Sequence, residues 1–307
     1  MTRTSSSPPY NIAELFPTMK AYARTAVRLH PRPGEPNIHD SHIGGPLIWP
    51  ADEPWPTCDR TIALPDDDWK HRIPESPVPM VGVAQLYARN IPEITFPNGT
   101  DLLQVLWCPN EHLLEDNHVP FLQLIWRRIS DLTGYLDDPP MRHHETPDSP
   151  PDAPASELSL EYYLPRPCLL NLERVTEYPH SATLPQQLQA ALKRWDNEAG
   201  VMYQSLLSVA PGCKIGGWES WHLTDKYELP CHVCGAETKF LMAFASKEWD
   251  SESRLRWQPL EERHLEPGTV SYEEAHEPTT LELGRYGALY LFVCPHSPDH
   301  GYRFTIQ

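Results

Sequence analysis

The chain carries Cys231-His232-Val233-Cys234-Gly235, answered sixty residues on by Cys294-Pro295-His296-Ser297-Pro298-Asp299-His300. Two thiols at C-x-x-C spacing followed by glycine form the usual knuckle of a structural zinc site. The tight turn aims both sulfurs at one ion, and the glycine lets the backbone close. Ala288 to Val293 is a continuous apolar run that reads as a buried strand and delivers Cys294. A metal held by both segments would close a long loop, and no other feature constrains the chain as much. Cys231, Cys234 and Cys294 are the thiolate candidates. The fourth ligand lies between His296, on the same face of an extending strand, and His300, which reaches back over a Ser-Pro turn and is preferred. Three thiolates and one imidazole leave no open position, so the Zn2+ would be structural. The other readings are free buried thiols or a redox pair. A redox C-x-x-C would precede a helix in a thioredoxin-like setting, which the residues after Cys234 do not resemble.

Thirty-five prolines in 307 residues predict many loops, short strands and few long helices. The net charge of -17 comes without a basic run, which disfavours nucleic acid and anionic membrane as partners. No segment approaches the ~20 apolar residues of a transmembrane helix. The first residues contain no apolar signal core, and seven cysteines, an odd number, point to reduced thiols rather than a disulfide framework. A cytoplasmic location is expected.

Residues 1–9 are polar and proline-bearing, expected as a disordered tail. From Asn11, apolar residues at Ile12, Leu15, Phe16, Met19, Ala23, Ala26 and Val27 form a helical stripe interrupted by Pro17. Strands are expected over 80–86, 101–108 and 119–129. Residues 137–157, which include His143 and His144, read as a proline-rich mobile loop. A second helix, capped by Thr183, places Leu184, Leu188, Ala191, Leu192 and Trp195 on one face. Residues 250–285 offer little hydrophobic anchorage.

Past that helix the first pattern returns. Lys214-Ile215-Gly216-Gly217 echoes His42-Ile43-Gly44-Gly45. Cys231 follows Gly217 by 14 positions, and Cys58 follows Gly45 by 13. Leu289 to Pro295 echoes Leu103 to Pro109. The reading is an α+β fold, largely antiparallel, with two β-rich repeats over 10–136 and 158–307, each preceded by a helix. In the first repeat Cys58, Cys108 and His112 occupy the duplicated positions, with Thr61 where Cys234 would be. His71 is the candidate to complete a second metal site, and loss of the metal from this copy is the alternative. Cys168 and Cys213 have no partner by spacing. The glycine pairs lack the phosphate-loop patterns and read as sharp turns beside Trp49 and Trp218.

Taken together, Ile43-Gly44-Gly45 with Trp49-Pro50, the stretch Val83 to His112, Lys214 to Asp225, and Cys231 to Gly235 with Gly287 to Pro295 resemble the YwqG-like family, a group of bacterial domains. The resemblance runs from about Ala21 onward and weakens over 137–157. It implies an α+β fold with an internal duplication and implies no activity. Similar sequences with paired cysteines look like zinc-bearing variants. In them the fourth ligand stands three or six residues after the counterpart of Cys294, and position 297 here is Ser. Two functions are carried forward. One is a non-enzymatic binding or interaction module for a protein or small ligand, with a basic partner expected for so acidic a surface. The other is a hydrolytic enzyme with a site between the repeats around His42, His222 and neighbouring acids. Ser205, Ser208 and Ser220 lie in no nucleophile-elbow context.

Overall fold

The computed structural model describes residues 2–64, 70–114, 117–136 and 160–307. The expected loop over 137–157, with His143 and His144, lies outside the described residues. The architecture is α+β with antiparallel sheets, and among the described residues one helix exceeds seven residues, Gln186–Ala199. The strands in chain order are β1 (Arg24–Arg28), β2 (Arg32–Pro33), β3 (His42–Ile43), β4 (Thr57–Cys58), β5 (Ile62–Leu64), β6 (Lys70–Arg72), β7 (Val78–Pro79), β8 (Val81–Tyr87), β9 (Leu102–Leu114), β10 (Asn117–Arg127), β11 (Cys168–Leu169), β12 (Glu173–Glu177), β13 (Lys214–Gly216), β14 (Lys239–Ala245), β15 (Ala288–Val293) and β16 (Tyr302–Ile306).

The chain forms two compact units. The first comprises Met1–His30, Asn171–Pro278 and Gly284–Gln307, and the second Pro31–Leu170 and Thr279–Leu283. The first unit holds a sheet of order β12-β1-β13-β14-β15-β16. The second holds β2-β11-β3-β8-β9-β5-β6, with β10 also on β9, and a small β4-β7 ribbon. β8 is buried throughout and β9 from Leu102 to His112, which is why both read as continuous apolar runs. In the second unit Leu47, Trp49, Val78, Met80 and Leu106 pack around Cys58 and Cys108. In the first, Trp249, Trp257, Tyr272 and Ala275 pack on Ala26 and Val175 of β1 and β12.

Several expectations change. The helix from Asn11 stops at Leu15, because Pro17 cannot continue it; a 3-10 segment over Pro17–Tyr22 follows, and Ala26 and Val27 belong to β1. The stretch expected as a tail is anchored: the Ser5 amide and hydroxyl bond the Glu173 carboxylate at 2.7 and 2.6 Å. Helix Gln186–Ala199 begins at Pro185, and the Thr183 hydroxyl donates to the His180 carbonyl instead of capping it. Segment 250–278 is anchored by Trp257, Tyr272 and Ala275, all buried, so it does not depend on a metal for its packing.

The first unit is tied together by a buried ion pair. Lys214 Nζ on β13 donates to both Glu177 oxygens on β12, at 2.7 and 2.8 Å, and to the Trp218 carbonyl at 2.6 Å. Both side chains are fully buried. Glu177 also accepts from the N–H groups of Ala210 and Trp218, at 2.9 and 2.8 Å. β1 lies between the two strands, with Arg24 opposite Glu177 and Arg28 opposite Lys214. Ala26 therefore sits on the same face between the partners, and its single methyl leaves room for their diagonal contact. Burial pushes the Lys214 ammonium down and the Glu177 carboxyl up, against their mutual attraction. Gly217, at φ +72°, closes the turn, where a Cβ would collide with Glu177 and Ala26. Replacing Lys214 by Met strands the carboxylate, and the expected cost is about 3–5 kcal/mol of unfolding free energy in urea titration. A loss below about 1 kcal/mol would refute the organising role of this pair.

Candidate metal centre

β14 and β15 pair with a register shift between Phe240 and Met242, and Cys294 follows the end of β15 directly. Facing it is the knuckle. The Cys231 N–H donates to the Ala236 carbonyl at 2.8 Å, and the Gly235 N–H donates back to the Cys231 carbonyl at 2.9 Å. Gly235 stands at φ +69°, the left-handed conformation in which glycine is unstrained. One ligand atom from each of Cys231, Cys234, Cys294 and His300 falls within 4.8 Å of all the others. Cys234 Sγ lies 3.5 Å from Cys294 Sγ, and His300 Nδ1 lies 3.3 and 3.7 Å from the sulfurs of Cys294 and Cys231. A tetrahedral zinc ion, with bonds of ~2.3 Å to sulfur and ~2.0 Å to nitrogen, holds its ligand atoms roughly 3.5–3.8 Å apart. The donor set fits such an ion in type, number and spacing.

The electrostatics agree. Desolvation raises the Cys294 thiol, but the N–H groups of His296 and Ser297 and the ring of His300 outweigh it and hold the thiol down at about 6. Cys234 moves the other way: the Ala236 N–H lowers it, but desolvation and the sulfurs of Cys294 and Cys231 prevail. Three sulfurs in contact resist joint ionisation unless a cation sits among them. His296 stands outside the group. Its Nδ1 comes within 3.7 Å of Cys234 alone, whereas His300 reaches two sulfurs.

In the second unit Cys58, Cys108 and His112 also converge, their ligand atoms within 4.8 Å of one another. His71 does not join them. It pairs with Ala63, which pairs with Glu111, so strand alternation puts it on the face opposite His112. There its exposed ring stacks on His118 at 6.4 Å. Cys168 and Cys213 are buried, as are Cys58 and Cys108, and Cys213 Sγ bonds the backbone of Ala245. A third group, Glu273, His276 and Glu277, escaped the sequence reading; its E-x-x-H-E spacing on a helical turn was the available signal. His276 Nε2 there is taken up by the Trp249 carbonyl at 2.7 Å.

The two histidines named for the hydrolytic alternative belong to different units. His42 is buried, with Nδ1 accepting from the Gly45 N–H at 3.1 Å and Nε2 bonding the Pro46 carbonyl at 3.0 Å. His222 is exposed beside Ser220, and desolvation lowers its pKa. A cleft of about 710 Å³ within the first unit was also missed, although the aromatic run after Gly217 marks one wall. Trp218, Trp221 and Phe240 line it, and Pro230, Gly235 and Glu237 bring the knuckle to it. The Arg24 guanidinium lies 3.4 Å from the Trp218 ring centre, and Lys226 pairs with Glu219 at 3.0 Å.

Zinc titration of the His300→Gln and His296→Gln variants separates the two histidines. His300→Gln should weaken binding by more than the ~10–100-fold that loss of an outer-shell partner costs, and His296→Gln should stay near the unaltered affinity. The reverse order would exchange their roles.

Compared with known protein families and with curated proteins, the chain matches no family model and no curated protein.

Proposed function

We propose that this protein is a non-enzymatic binding module of the YwqG-like kind, built by duplication of one β-rich repeat and stapled in its C-terminal repeat by a structural Zn2+ ion. The observation that carries this is the closed donor set of Cys231, Cys234, Cys294 and His300 standing at the wall of an aromatic cleft. Four protein donors leave no coordination position for a substrate or an activated water, so the ion's part is to hold the knuckle in place. The cleft has the volume of small-ligand sites, ~300–1,000 Å³. Seven cysteines with no disulfide among them fit a reducing compartment such as the cytoplasm. Among the described residues no helix is long and apolar enough to cross a membrane.

The strand order supports duplication. Each copy would run through six strands, β1-β2-β3-β8-β9-β10 and then β11-β12-β13-β14-β15-β16. In either sheet the second, third, fourth, fifth and sixth strands of one copy keep the same order, and the first strand of the other copy is inserted between the second and third. The register shift between Gly82 and Ala84 in β8 recurs between Phe240 and Met242 in β14. The residue before Ile-Gly-Gly bonds the carbonyl four positions on in both copies, His42 to Pro46 and Lys214 to Trp218.

A basic ligand suits the net charge of -17; at the cleft Lys226 is paired with Glu219 and Arg24 is stacked on Trp218, so Glu228 and Glu237 stand against Lys239. Short lysine- and arginine-containing peptides should quench the fluorescence of Trp218 and Trp221. Their binding should weaken about tenfold between 0.1 and 1 M salt, as the screening length shortens. The Glu228→Gln/Glu237→Gln variant should bind less tightly. Salt-insensitive binding, or none, would overturn the cleft as a site for basic ligands.

A further inference from the structure

We propose that Cys58, Cys108 and His112 form a second metal site, a three-donor centre for a thiophilic d10 ion, Zn2+ or Cu+. The three side chains come from β4 and β9, and Sγ of Cys58 lies 3.8 Å from Nε2 of His112, the separation that a shared ion imposes. They are 3%, 0% and 1% exposed, so the centre is dry. The donor chemistry is soft: two thiolates and an imidazole, with no carboxylate in the group. Soft donors in this number select thiophilic ions over Mg2+ or Ca2+.

The histidine is already oriented for ligation. His112 Nδ1 sits 2.9 Å from the Thr61 carbonyl, an acceptor, so the proton resides on Nδ1 and the Nε2 lone pair faces the sulfurs. A buried histidine serving only the core would have both nitrogens matched to strong partners, whereas a sulfur at 3.8 Å is a weak one. The Asn110 side-chain amide donates to Cys108 Sγ at 3.6 Å, which orients that sulfur.

The analogy with the first centre, which rests on the duplication proposed above, explains the smaller donor set. Cys58 and Cys231 stand at equivalent places, as do Cys108 and Cys294, each two residues beyond the partner of the shifted strand position. Thr61 occupies the place of Cys234. It contributes no sulfur, and its carbonyl orients the histidine instead. The first centre is thus closed with four donors at the edge of its unit, and this one has three in the core.

The test uses the full chain, loaded anaerobically and separately with Zn2+ and Cu+, freed of loose metal by a competing chelator, and analysed for metal and protein. The unaltered chain should retain about two equivalents of at least one ion. His112→Gln and Cys108→Ala should each remove about one equivalent and leave the first centre filled; Cys231→Ser/Cys294→Ser should remove the other and leave this one. Retention of Cu+ alone identifies a trigonal copper(I) site, and retention of Zn2+ identifies a zinc site completed by an outside ligand. A chain from which neither His112→Gln nor Cys108→Ala removes an equivalent of either ion overturns the proposal. Loss of the equivalent that depends on Cys231 would count against the structural zinc alone, so the two failures are distinguishable. Should the double variant not fold, the difference between unaltered and His112→Gln chains decides, with circular dichroism confirming that the latter keeps its sheet signal.

Discussion

The contact on which the first unit depends is the one between Lys214 and Glu177. Taking two charges fully out of water is costly, and their attraction alone offsets that only with complete hydrogen bonding. Here the bonding is nearly saturated: the ammonium donates to the carboxylate and to the Trp218 carbonyl, and the carboxylate also accepts two backbone N–H groups. The pair reaches over β1, so it works only if β12, β1 and β13 stand in their observed register. A slip by one residue would turn either partner to the opposite face. Such a pair contributes specificity more than stability. It also fixes Trp218, whose N–H and carbonyl it holds, and Trp218 forms a wall of the cleft.

In the second unit His42 bonds the backbone of its own Ile-Gly-Gly turn, as Lys214 does in the first. The second unit's buried polar chain lies elsewhere: the Gln85 carbonyl accepts from Ile48 and from Gln104, and Gln104 in turn accepts from Arg127, which pairs with Glu53. Each unit thus completes the hydrogen bonds of its glycine turn with a different buried side chain, Lys214 in one and His42 in the other.

The sequence was most informative where local pattern and tertiary role coincide. The apolar runs at β8, β9, β14 and β15 are central strands, so their hydrophobicity is continuous and needs no context. The C-x-x-C turn carries its geometry in four residues. It failed where the same pattern serves another structure. Ile12, Leu15 and Met19 sit at helical spacing, but proline at 17 and the sheet's need for β1 break the stripe. His71 has acceptable spacing and the wrong face, which only the pairing of β5, β6 and β9 reveals. The compact units divide after His30 and after Leu170, because β1 pairs with β12 and β13 while β11 pairs with β2 and β3, so neither unit is one continuous stretch of sequence.

That arrangement bears on what a metal ion can do. The knuckle segment is short of regular structure: between β13 and β14 the chain is irregular apart from the Pro230–Glu237 bridge. Its side of the cleft includes Glu228 and Glu237, both exposed, so they gain little from burial. β14, β15 and β16, by contrast, are paired along their lengths and hold Cys294 in place whether or not an ion is bound. Binding energy released at the four-donor centre would therefore go mainly into ordering the knuckle against a preformed sheet edge. A metal held at the four-donor centre would thus fix the segment that brings Pro230, Gly235 and Glu237 to the cleft.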